Sequence, residues 1–314
     1  MSRQPRSIGR CIAVWLPAVG SLLALVLVGR GSPPLEFWFG SMTAIATVKG
    51  ITLLHDRTAL RADLFRYWGY LIAWPGMNTR QFFATDHVPD RPAMKEWLFA
   101  GGNIVLGAVL VLLIAPACLR GETAMLAGST REHQEWLAGW VGLVGLALAM
   151  HFGLFHLLSL VWRNFGIDAR PIAHAPILAT SVGDFWGDRW NRAFRDAAHE
   201  LIFRPLIRRI GVPAATAVVF LVSGVTHDLV ISPPARAGLG WPTLYFVLQG
   251  CALLVERSPL GDRLGLARGV VGRAWAAAVI VLPVGLLFHE PFIRAVVVPL
   301  VQGVSYAIGP AAAL

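Results

Sequence analysis

The sequence predicts an all-α protein, in which residues 1–314 form one integral membrane domain built as a polytopic bundle of about eight transmembrane helices. Of these residues 56% are hydrophobic and only 14% are charged, whereas soluble proteins carry roughly 25% charged residues. Apolar runs long enough to cross a bilayer recur along the chain, and the basic residues lie mostly on one side of them. These observations exclude a soluble domain.

Eight runs have the length of a membrane span, about 17 to 25 mainly apolar residues. The first follows the basic start MSRQPRSIGR, as in a signal peptide, but GRGS follows it in place of a small-residue cleavage site. We therefore expect an uncleaved first helix. The runs are 11–28, 35–54, 96–117, 136–161, 212–231, 240–256, 273–288 and 291–308.

The distribution of Lys and Arg predicts the orientation. With these spans, 21 of the 27 basic residues lie on the side of the N-terminus and five on the other side, while Lys49 falls within the second span. Because cytoplasmic loops carry the excess of basic residues, both termini are predicted to be cytoplasmic. Topology also accounts for most of the net charge of +9, so we expect no nucleic-acid partner. Lys49 is expected to extend its ammonium group to the interface.

Two segments on the predicted cytoplasmic side are too long to be turns. Residues 55–95 contain DLFRYWGYLIAWPGM, which is typical of a helix in the interface or of a short re-entrant piece. Residues 162–211 contain an amphipathic helix from Asn191 onward, which we expect to rest on the inner surface and to end or kink at Pro205. Amphipathic interfacial helices are therefore predicted in both cytoplasmic loops.

No metal site and no disulfide framework is predicted. The three cysteines, Cys11, Cys118 and Cys251, are far apart in the sequence, with no CxxC pair and no Cys/His cluster. His151 and His156 are five positions apart in one span and so do not share a helix face. Gln249, inside a span, is most simply an interhelical hydrogen-bonding group.

His227 is the first candidate for chemistry. Counted from Pro213, it lies about 21 Å along a span in a hydrocarbon layer about 30 Å thick. A charged imidazole is costly there, and the neutral form can accept a proton. Asp228 follows it, but adjacent helical residues point about 100° apart, so no His–Asp dyad is assumed. The alternative is a structural histidine hydrogen-bonded between helices, although Gly224 nearby permits another helix to approach closely.

Asn191 is the second candidate, because its carboxamide can donate to a developing oxyanion or hold a thioester carbonyl without burying a charge. The alternative is a helix N-cap that follows an aromatic interface anchor.

Three pieces of sequence resemble the wax synthase branch of the membrane-bound O-acyltransferase superfamily: DFWGDRWN at 184–191, RPL at 204–206 and SGVTHDL at 223–229. That branch has a DFWGRRWN-like and an SGLMHEL-like segment in the same order. The resemblance covers about Pro171 to Val230. It implies the fold of that superfamily, a lipid bilayer, and acyl transfer from acyl-CoA to a lipophilic alcohol with no tightly bound cofactor. By motif position, His227 corresponds to the family's catalytic histidine and Asn191 to its polar partner.

The sequence departs from the family pattern in ways that leave the acceptor open. Asp188 stands where the plant wax synthases commonly have arginine, which brings the segment nearer to the FYxDWWN form of the diacylglycerol acyltransferases. Val225-Thr226 replaces Leu-Met, and Asp228 replaces Glu. The acceptor could instead be a sterol, terpenoid, glycerolipid or other hydroxylated metabolite, with a donor as short as acetyl-CoA. A membrane transporter is a further alternative, although no inverted repeat is visible.

The resemblance predicts roles for individual residues. His227 acts as general base, and Asn191 orients or polarises the acyl carbonyl. The arginines near the first motif, Arg189, Arg192 and Arg195, are candidate contacts for the phosphates of CoA; the alternative for each is positive-inside topology with pairing to lipid headgroups. The residues expected to bind substrate are Asp184, Phe185, Trp186, Asp188, Arg189, Trp190, Arg192 and Arg195.

Overall fold

The computed structural model describes residues 8–56, 59, 62–123 and 128–308. Every regular element within these ranges is helical, so the predicted all-α bundle is confirmed. Four of the basic residues that entered the predicted orientation, Arg3, Arg6, Arg57 and Arg61, lie outside the described residues.

The helices are labelled in chain order. They are α1 Gly9–Gly29, α2 Pro33–His55, α3 Leu64–Ile72, α4 Thr79–Phe83, α5 Met94–Leu119, α6 Arg131–Asn164, α7 Val182–Asp184, α8 Arg192–Ala198, α9 Arg204–Ala235, α10 Trp241–Glu256, α11 Pro259–Leu264, α12 Gly269–Leu287 and α13 Val298–Ile308. Single π-helical turns follow α7 at Phe185–Arg189 and join α8 to α9 at His199–Phe203. These two turns flank α8, and further π-helical turns occur at Leu25–Gly29, Leu110–Ile114, Leu148–Leu154 and Ile293–Val297.

Helices occupy all eight predicted spans, but not all have the length of a span. Six stretches of the described chain are long and apolar enough to cross a membrane: α1, α2, α5, α6, the continuous run Arg192–Ala235, and α12. The predicted spans 240–256 and 291–308 coincide with α10 and with the helical residues up to Ile308. With 16 residues, α10 is about 24 Å long, less than the hydrocarbon layer of about 30 Å. The apolar helices agree with an integral membrane protein, and the number of eight crossings stays a prediction.

The predicted helix after Asn191 begins at Arg192 but does not end at Pro205. The helix deforms into the π-helical turn just before Pro205, and its backbone leaves helical geometry only at Gly211, with φ 76° and ψ 170°. That combination is essentially restricted to glycine. The change of direction therefore falls at Gly211, six residues later than expected.

The α9 and α10 helices approach each other closely. A methyl group built on Gly224 of α9 would be 2.9 Å from the Cα atom of Thr243, and one on Gly250 of α10 would be 3.0 Å from the Cβ atom of Phe220. Small residues allow helix backbones in a bilayer to approach closely. The second motif, SGVTHDL, therefore lies at a close contact between two helices.

The expectation that Lys49 extends to the interface is wrong. Its side chain is 1% exposed, and its Nζ atom donates to the carbonyl oxygens of Trp74 at 2.7 Å and Gly76 at 2.6 Å. It also lies 3.8 Å from the centroid of the Tyr70 ring. The ammonium group is held inside because it satisfies two buried carbonyl groups of the turn that follows α3.

Replacing Lys49 by methionine is expected to destabilise the protein by about 2 kcal/mol or more, because two buried carbonyl oxygens lose their donor. In a thermal unfolding measurement on detergent-solubilised protein this is a fall in Tm of roughly 5 °C. Lys95→Met is the matched control, since Lys95 is exposed, and its Tm should stay at the wild-type value. Equal Tm values for the two variants would contradict the assignment.

Candidate active site

The first motif is held in place by an ion pair inside its own loop. Arg189 donates from Nε to Asp184 Oδ2 at 2.7 Å and from Nη1 to the carbonyl oxygen of Ala175 at 3.2 Å. Thr180 donates to the same carboxylate oxygen from its backbone N–H, at 2.9 Å, and from its hydroxyl, at 3.1 Å. Burial opposes ionisation, but these hydrogen bonds outweigh it and hold the pKa of the Asp184 carboxyl below its usual value. The pair therefore stabilises the loop at neutral pH, and its contribution is lost only as the pH falls through the lowered pKa.

The aromatic residues of the motif form a stack that reaches another helix. The Trp190 ring lies nearly parallel to the Phe185 ring, with centroids 5.8 Å apart, and to the His151 ring, with centroids 5.4 Å apart. His151 belongs to α6, which the sequence pattern does not connect with the motif. The stack therefore places Trp190, the residue before Asn191, between α6 and the π-helical turn that follows α7.

Trp186 connects the first motif to α10. Its Nε1–H donates to Oε1 of Gln249 at 3.2 Å, and its ring centroid lies 5.5 Å from that of Phe246. Gln249 in turn donates from Nε2 to the carbonyl oxygen of Val279 in α12, at 2.8 Å. The prediction that Gln249 is an interhelical hydrogen-bonding group is confirmed.

Asn191 has the geometry of an N-cap. Its backbone is left-handed, with φ 43° and ψ 56°, and its Oδ1 atom accepts from the N–H of Phe194 at 3.4 Å. Asparagine is among the few non-glycine residues that adopt this conformation readily. The cap uses only the Oδ1 atom of the carboxamide, so the hydrogens of Nδ2 can be donated to another acceptor. Capping and donation to a substrate are thus compatible in one side chain.

His227 has one nitrogen occupied and one available. Its Nδ1 atom lies 2.7 Å from the carbonyl oxygen of Ser223, one turn earlier in α9. A carbonyl oxygen only accepts, so Nδ1 carries the hydrogen and Nε2 carries the lone pair. Within the described chain no group donates to Nε2. The imidazole is therefore set up as a proton acceptor at Nε2.

Two phenylalanine rings, from two different helices, lie beside the imidazole of His227. The Phe246 ring of α10 has its centroid 4.4 Å from that of the imidazole, and the Phe194 ring of α8 lies 6.2 Å away. Phe194 is the residue whose N–H Asn191 caps. The structure therefore brings the helix that Asn191 starts against the second motif.

The arginines of the first motif differ in what they contact. Arg189 is used inside the loop, and Arg195 lies 2.8 Å from Asp196 and 3.9 Å from the exposed Asp188. For the partly buried Arg192 no ion pair is found among the described residues; its backbone N–H donates to the carbonyl oxygen of Ile172. Of the three predicted phosphate contacts, Arg192 is thus the one whose guanidinium is not engaged by a carboxylate of the described chain.

Sequence reasoning missed Glu256, at the end of α10. It is 3% exposed, and its two carboxylate oxygens accept from the N–H groups of Val182 at 2.6 Å and Gly183 at 3.0 Å. These are the first residues of α7, so a carboxylate from α10 caps the helix that begins the first motif. A signal was present, because a carboxylate at the end of an apolar run is expensive unless it is paired.

A polar cavity of about 270 Å³ lies beside α8, and it contains none of the predicted site residues. Its walls come from α2, α4 and α8 and include His55, Asn78, Arg80, Asp196 and Glu200. Asn78 donates to Asp196 and Arg80 to Glu200, so these groups already join the start of α4 to α8 and to the π-helical turn that follows α8. No cluster of three or more His, Cys, Asp or Glu side chains with the geometry of a metal site occurs in the part of the chain that the structure describes.

Comparison with known proteins agrees with the two motifs. Residues 169–248 match the model of the Membrane bound O-acyl transferase family, and this range contains both motifs. Probable long-chain-alcohol O-fatty-acyltransferase 9 of Arabidopsis thaliana is 34% identical over 151 residues, which cover 44% of this chain and 44% of that protein. The resemblance to the wax synthase branch of the superfamily is confirmed.

Two further relatives are named for the same activity. Long-chain-alcohol O-fatty-acyltransferase of Simmondsia chinensis is 33% identical over 143 residues, 42% of this chain and 40% of the relative. Probable long-chain-alcohol O-fatty-acyltransferase 1 of Arabidopsis thaliana is 34% identical over 176 residues, 52% of this chain and 46% of the relative. The chain therefore matches less than half of the length of each of these relatives.

Glu256→Gln is expected to loosen the start of the first motif, because the amide that replaces one carboxylate oxygen cannot accept from a backbone N–H. Losing about 1.4 kcal/mol at this contact increases local opening about tenfold. Hydrogen exchange measured by mass spectrometry on peptides covering residues 180–190 should show this acceleration. Glu290→Gln, at an exposed carboxylate paired with Arg294, is the control and should leave these peptides unchanged. If these peptides exchange in Glu256→Gln at the wild-type rate, the proposed capping by Glu256 is contradicted.

Proposed function

We propose that the chain, whose two motifs lie within its region of similarity to the membrane-bound O-acyltransferases, is an enzyme that transfers an acyl group from acyl-CoA to the hydroxyl of a lipophilic alcohol. The observation that carries the proposal is the hydrogen bond from Nδ1 of His227 to Ser223, at 2.7 Å. It leaves a lone pair on Nε2 of an imidazole whose ring neighbours are Phe194 and Phe246. A neutral imidazole in an apolar setting is suited to remove a proton from an alcohol.

In the first step, Nε2 of His227 accepts the hydroxyl proton as the alcohol oxygen attacks the thioester carbonyl carbon. The carbon becomes tetrahedral, and its oxygen develops a negative charge. The Nδ2 amide of Asn191 donates a hydrogen bond to that oxygen. A neutral donor stabilises the charge without adding a second ion to a site of low dielectric.

In the second step, the tetrahedral intermediate collapses to the ester and the bond to sulfur breaks. The thiolate of CoA leaves with the electron pair and takes the proton from Nε2 of His227. The imidazole returns to its neutral form, so protons and electrons balance. The chemistry requires no covalent acyl-enzyme and no metal ion.

Acyl-CoA is proposed as the donor because Arg192, which follows Asn191 in the chain, has a guanidinium that forms no ion pair with a carboxylate of the described residues. A guanidinium can form two parallel hydrogen bonds to a phosphate. CoA is anionic and cytoplasmic, which agrees with the proposal that the first motif and both termini face the cytoplasm.

The acceptor is proposed to reach His227 from the bilayer. Leu221, Val225 and Leu229 of α9 are exposed on the surface of the bundle, as expected for a face in contact with hydrocarbon. The relatives' printed names specify a long-chain alcohol. Sterol, terpenoid and glycerolipid hydroxyls remain alternatives that the acceptor panel below distinguishes.

His227→Ala and Asn191→Asp test the two proposed roles. Losing the base is expected to lower kcat by about 10² to 10⁴. Asn191→Asp keeps an oxygen for the cap and tolerates the left-handed backbone, but it replaces the amide donor by a carboxylate, so kcat should fall by about 10² to 10³. The measurement is ester formation by protein in nanodiscs, with acyl-CoAs of several lengths against primary long-chain alcohols, sterols, terpenoids and diacylglycerol.

The controls separate chemistry from folding. His87→Ala removes an exposed histidine and should be as active as wild type, and Asn191→Gly permits the left-handed backbone without the side chain. If no combination of donor and acceptor leads to release of CoA, the proposed reaction is refuted. Wild-type activity in a folded His227→Ala variant would refute the assigned base.

Arg192→Gln tests the donor. Loss of one partly exposed charge-assisted contact is expected to raise KM for acyl-CoA about tenfold, with kcat little changed. With an S-acyl pantetheine donor, which lacks the nucleotide phosphates, the same substitution should have no effect on KM. Arg204→Gln, at an exposed arginine paired with Glu200, is the matched control. An equal increase in KM for both donors would contradict a phosphate contact.

A further inference from the structure

We propose that Asp228 is a positioning residue for His227, which acts by capping α10 from α9 and thereby holds Phe246 against the imidazole. This inference rests on the proposed function, because it assigns a role in the same reaction. Asp228 follows His227 in the chain and is 5% exposed.

Both oxygens of the Asp228 carboxylate accept hydrogen bonds, and two of the three donors lie at the start of α10 and not in α9. Oδ2 accepts from the backbone N–H of Gly240 at 2.7 Å and from the hydroxyl of Thr243 at 2.8 Å. Oδ1 accepts from the hydroxyl of Ser232 at 2.5 Å. A buried carboxylate with three donors is satisfied as an anion.

Asp228 does not act on His227 as the acid of a dyad. The Nδ1 hydrogen of His227 is donated to the carbonyl oxygen of Ser223, and the Asp228 oxygens contact the start of α10. The two neighbouring side chains therefore face different partners, as expected for adjacent positions on a helix. The contacts of Asp228 with Gly240 and Thr243 instead connect it to the imidazole through α10.

The start of α10 has no cap of its own. Its N-cap residue is Gly240, which has no side chain and a left-handed φ of 91°, and Pro242 follows in the first turn. The free N–H groups at a helix N-terminus favour a carboxylate. Asp228 supplies this carboxylate from the neighbouring helix, so one side chain fixes both the position and the rotation of the first turn of α10.

One turn connects this cap to the candidate base. Thr243 contacts Asp228, and Phe246 follows Thr243 by three residues, on the same face of α10. The centroid of the Phe246 ring lies 4.4 Å from that of His227 and 5.5 Å from that of Trp186 in the first motif. A shift of the first turn of α10 therefore moves the ring that separates the two motifs.

Removing the carboxylate is expected to impair turnover more than donor binding. In Asp228→Ala the N–H of Gly240 and the hydroxyl of Thr243 lose their acceptor, and Phe246 is free to move from the imidazole. A misplacement of about 1 Å at the reacting groups can lower the rate about 10²-fold. We expect kcat to fall by about that factor, with KM for acyl-CoA changed less than about twofold, because Arg192 is on another element.

Asp228→Asn separates hydrogen bonding from charge. The amide oxygen can accept from Gly240 and Thr243, while the amide nitrogen donates to the Ser232 oxygen, whose hydroxyl already lies 3.2 Å from the carbonyl oxygen of Gly238. Every contact that positions α10 is thus retained without the negative charge. A positioning role predicts that kcat of Asp228→Asn lies within about threefold of the wild-type value. A change of that size is roughly the effect of one hydrogen bond.

The experiment measures kcat and KM for wild type, Asp228→Ala, Asp228→Asn, Thr243→Val and the Asp228→Ala/Thr243→Val double variant in nanodiscs. Thr243→Val should lower kcat about fivefold, and the double variant should be no worse than Asp228→Ala, since both changes break one contact. Thr216→Val is the matched control, because the Thr216 hydroxyl donates within α9 to the carbonyl oxygen of Val212 and lies outside the second motif; its kcat should equal that of wild type.

Hydrogen exchange of peptides covering residues 238–247 provides a readout that does not depend on activity. Asp228→Ala should accelerate exchange there at least about tenfold and leave peptides of α5 and α6 unchanged, whereas Asp228→Asn should resemble wild type.

The outcomes distinguish the two proposals. A kcat of Asp228→Ala equal to that of wild type overturns the positioning role. So does an Asp228→Asn variant that is as impaired as Asp228→Ala with wild-type exchange at 238–247, because the charge itself would then act on the reaction. If wild type forms no ester, the proposed function fails, and the exchange measurement still decides the contact: local acceleration in Asp228→Ala supports the cap, and unchanged exchange overturns it.

Discussion

The close packing of α9 against α10 is the contact on which the candidate site depends. Helices surrounded by lipid gain little from the hydrophobic effect when they meet, so van der Waals contact and interhelical hydrogen bonds must hold them. Gly224 and Gly250 let the two backbones approach until side chains of each touch the other's main chain. Once the backbones are this close, Asp228 reaches Thr243 and Phe246 reaches His227. Polar and aromatic contacts are concentrated here because the glycines leave room for them.

A helix that contains neither motif determines how the motifs lie relative to each other. Along one helix, α10 contacts the second motif through Phe246 and the first through Gln249 and Glu256. Each polar contact places a group that is expensive to bury opposite a partner that satisfies it, so other registers of α10 would leave buried groups unpaired. The helices at the site are therefore held by satisfied polar groups in an apolar surrounding, and the rings of Phe194 and Phe246 pack beside the imidazole.

Several features of the site were predictable from local sequence, and others were not. The spans and the start of the helix after Asn191 follow from apolar runs and capping chemistry, which involve residues close in the chain. The predicted bend at Pro205 was wrong. The helix continues past Pro205 because the π-helical turn just before it accommodates the proline, and the backbone leaves helical geometry at Gly211, whose angles are nearly restricted to glycine. The placement of Lys49 was also wrong, since the carbonyl groups that hold it belong to a turn about 25 residues away.

The sequence by itself determined that this is an all-α membrane protein, where its apolar helices lie, and which two motifs carry its polar chemistry. These properties depend on composition and on short periodic patterns, which the chain carries whatever its neighbours are. The tertiary structure decided that the carboxylate of Asp228 is directed to α10, that Glu256 caps the first motif, and that Arg192 differs from Arg189 and Arg195 in having no carboxylate partner in the described chain. Such assignments depend on groups many residues apart, because a buried polar atom takes whichever partner the packing of the helices brings within hydrogen-bonding distance.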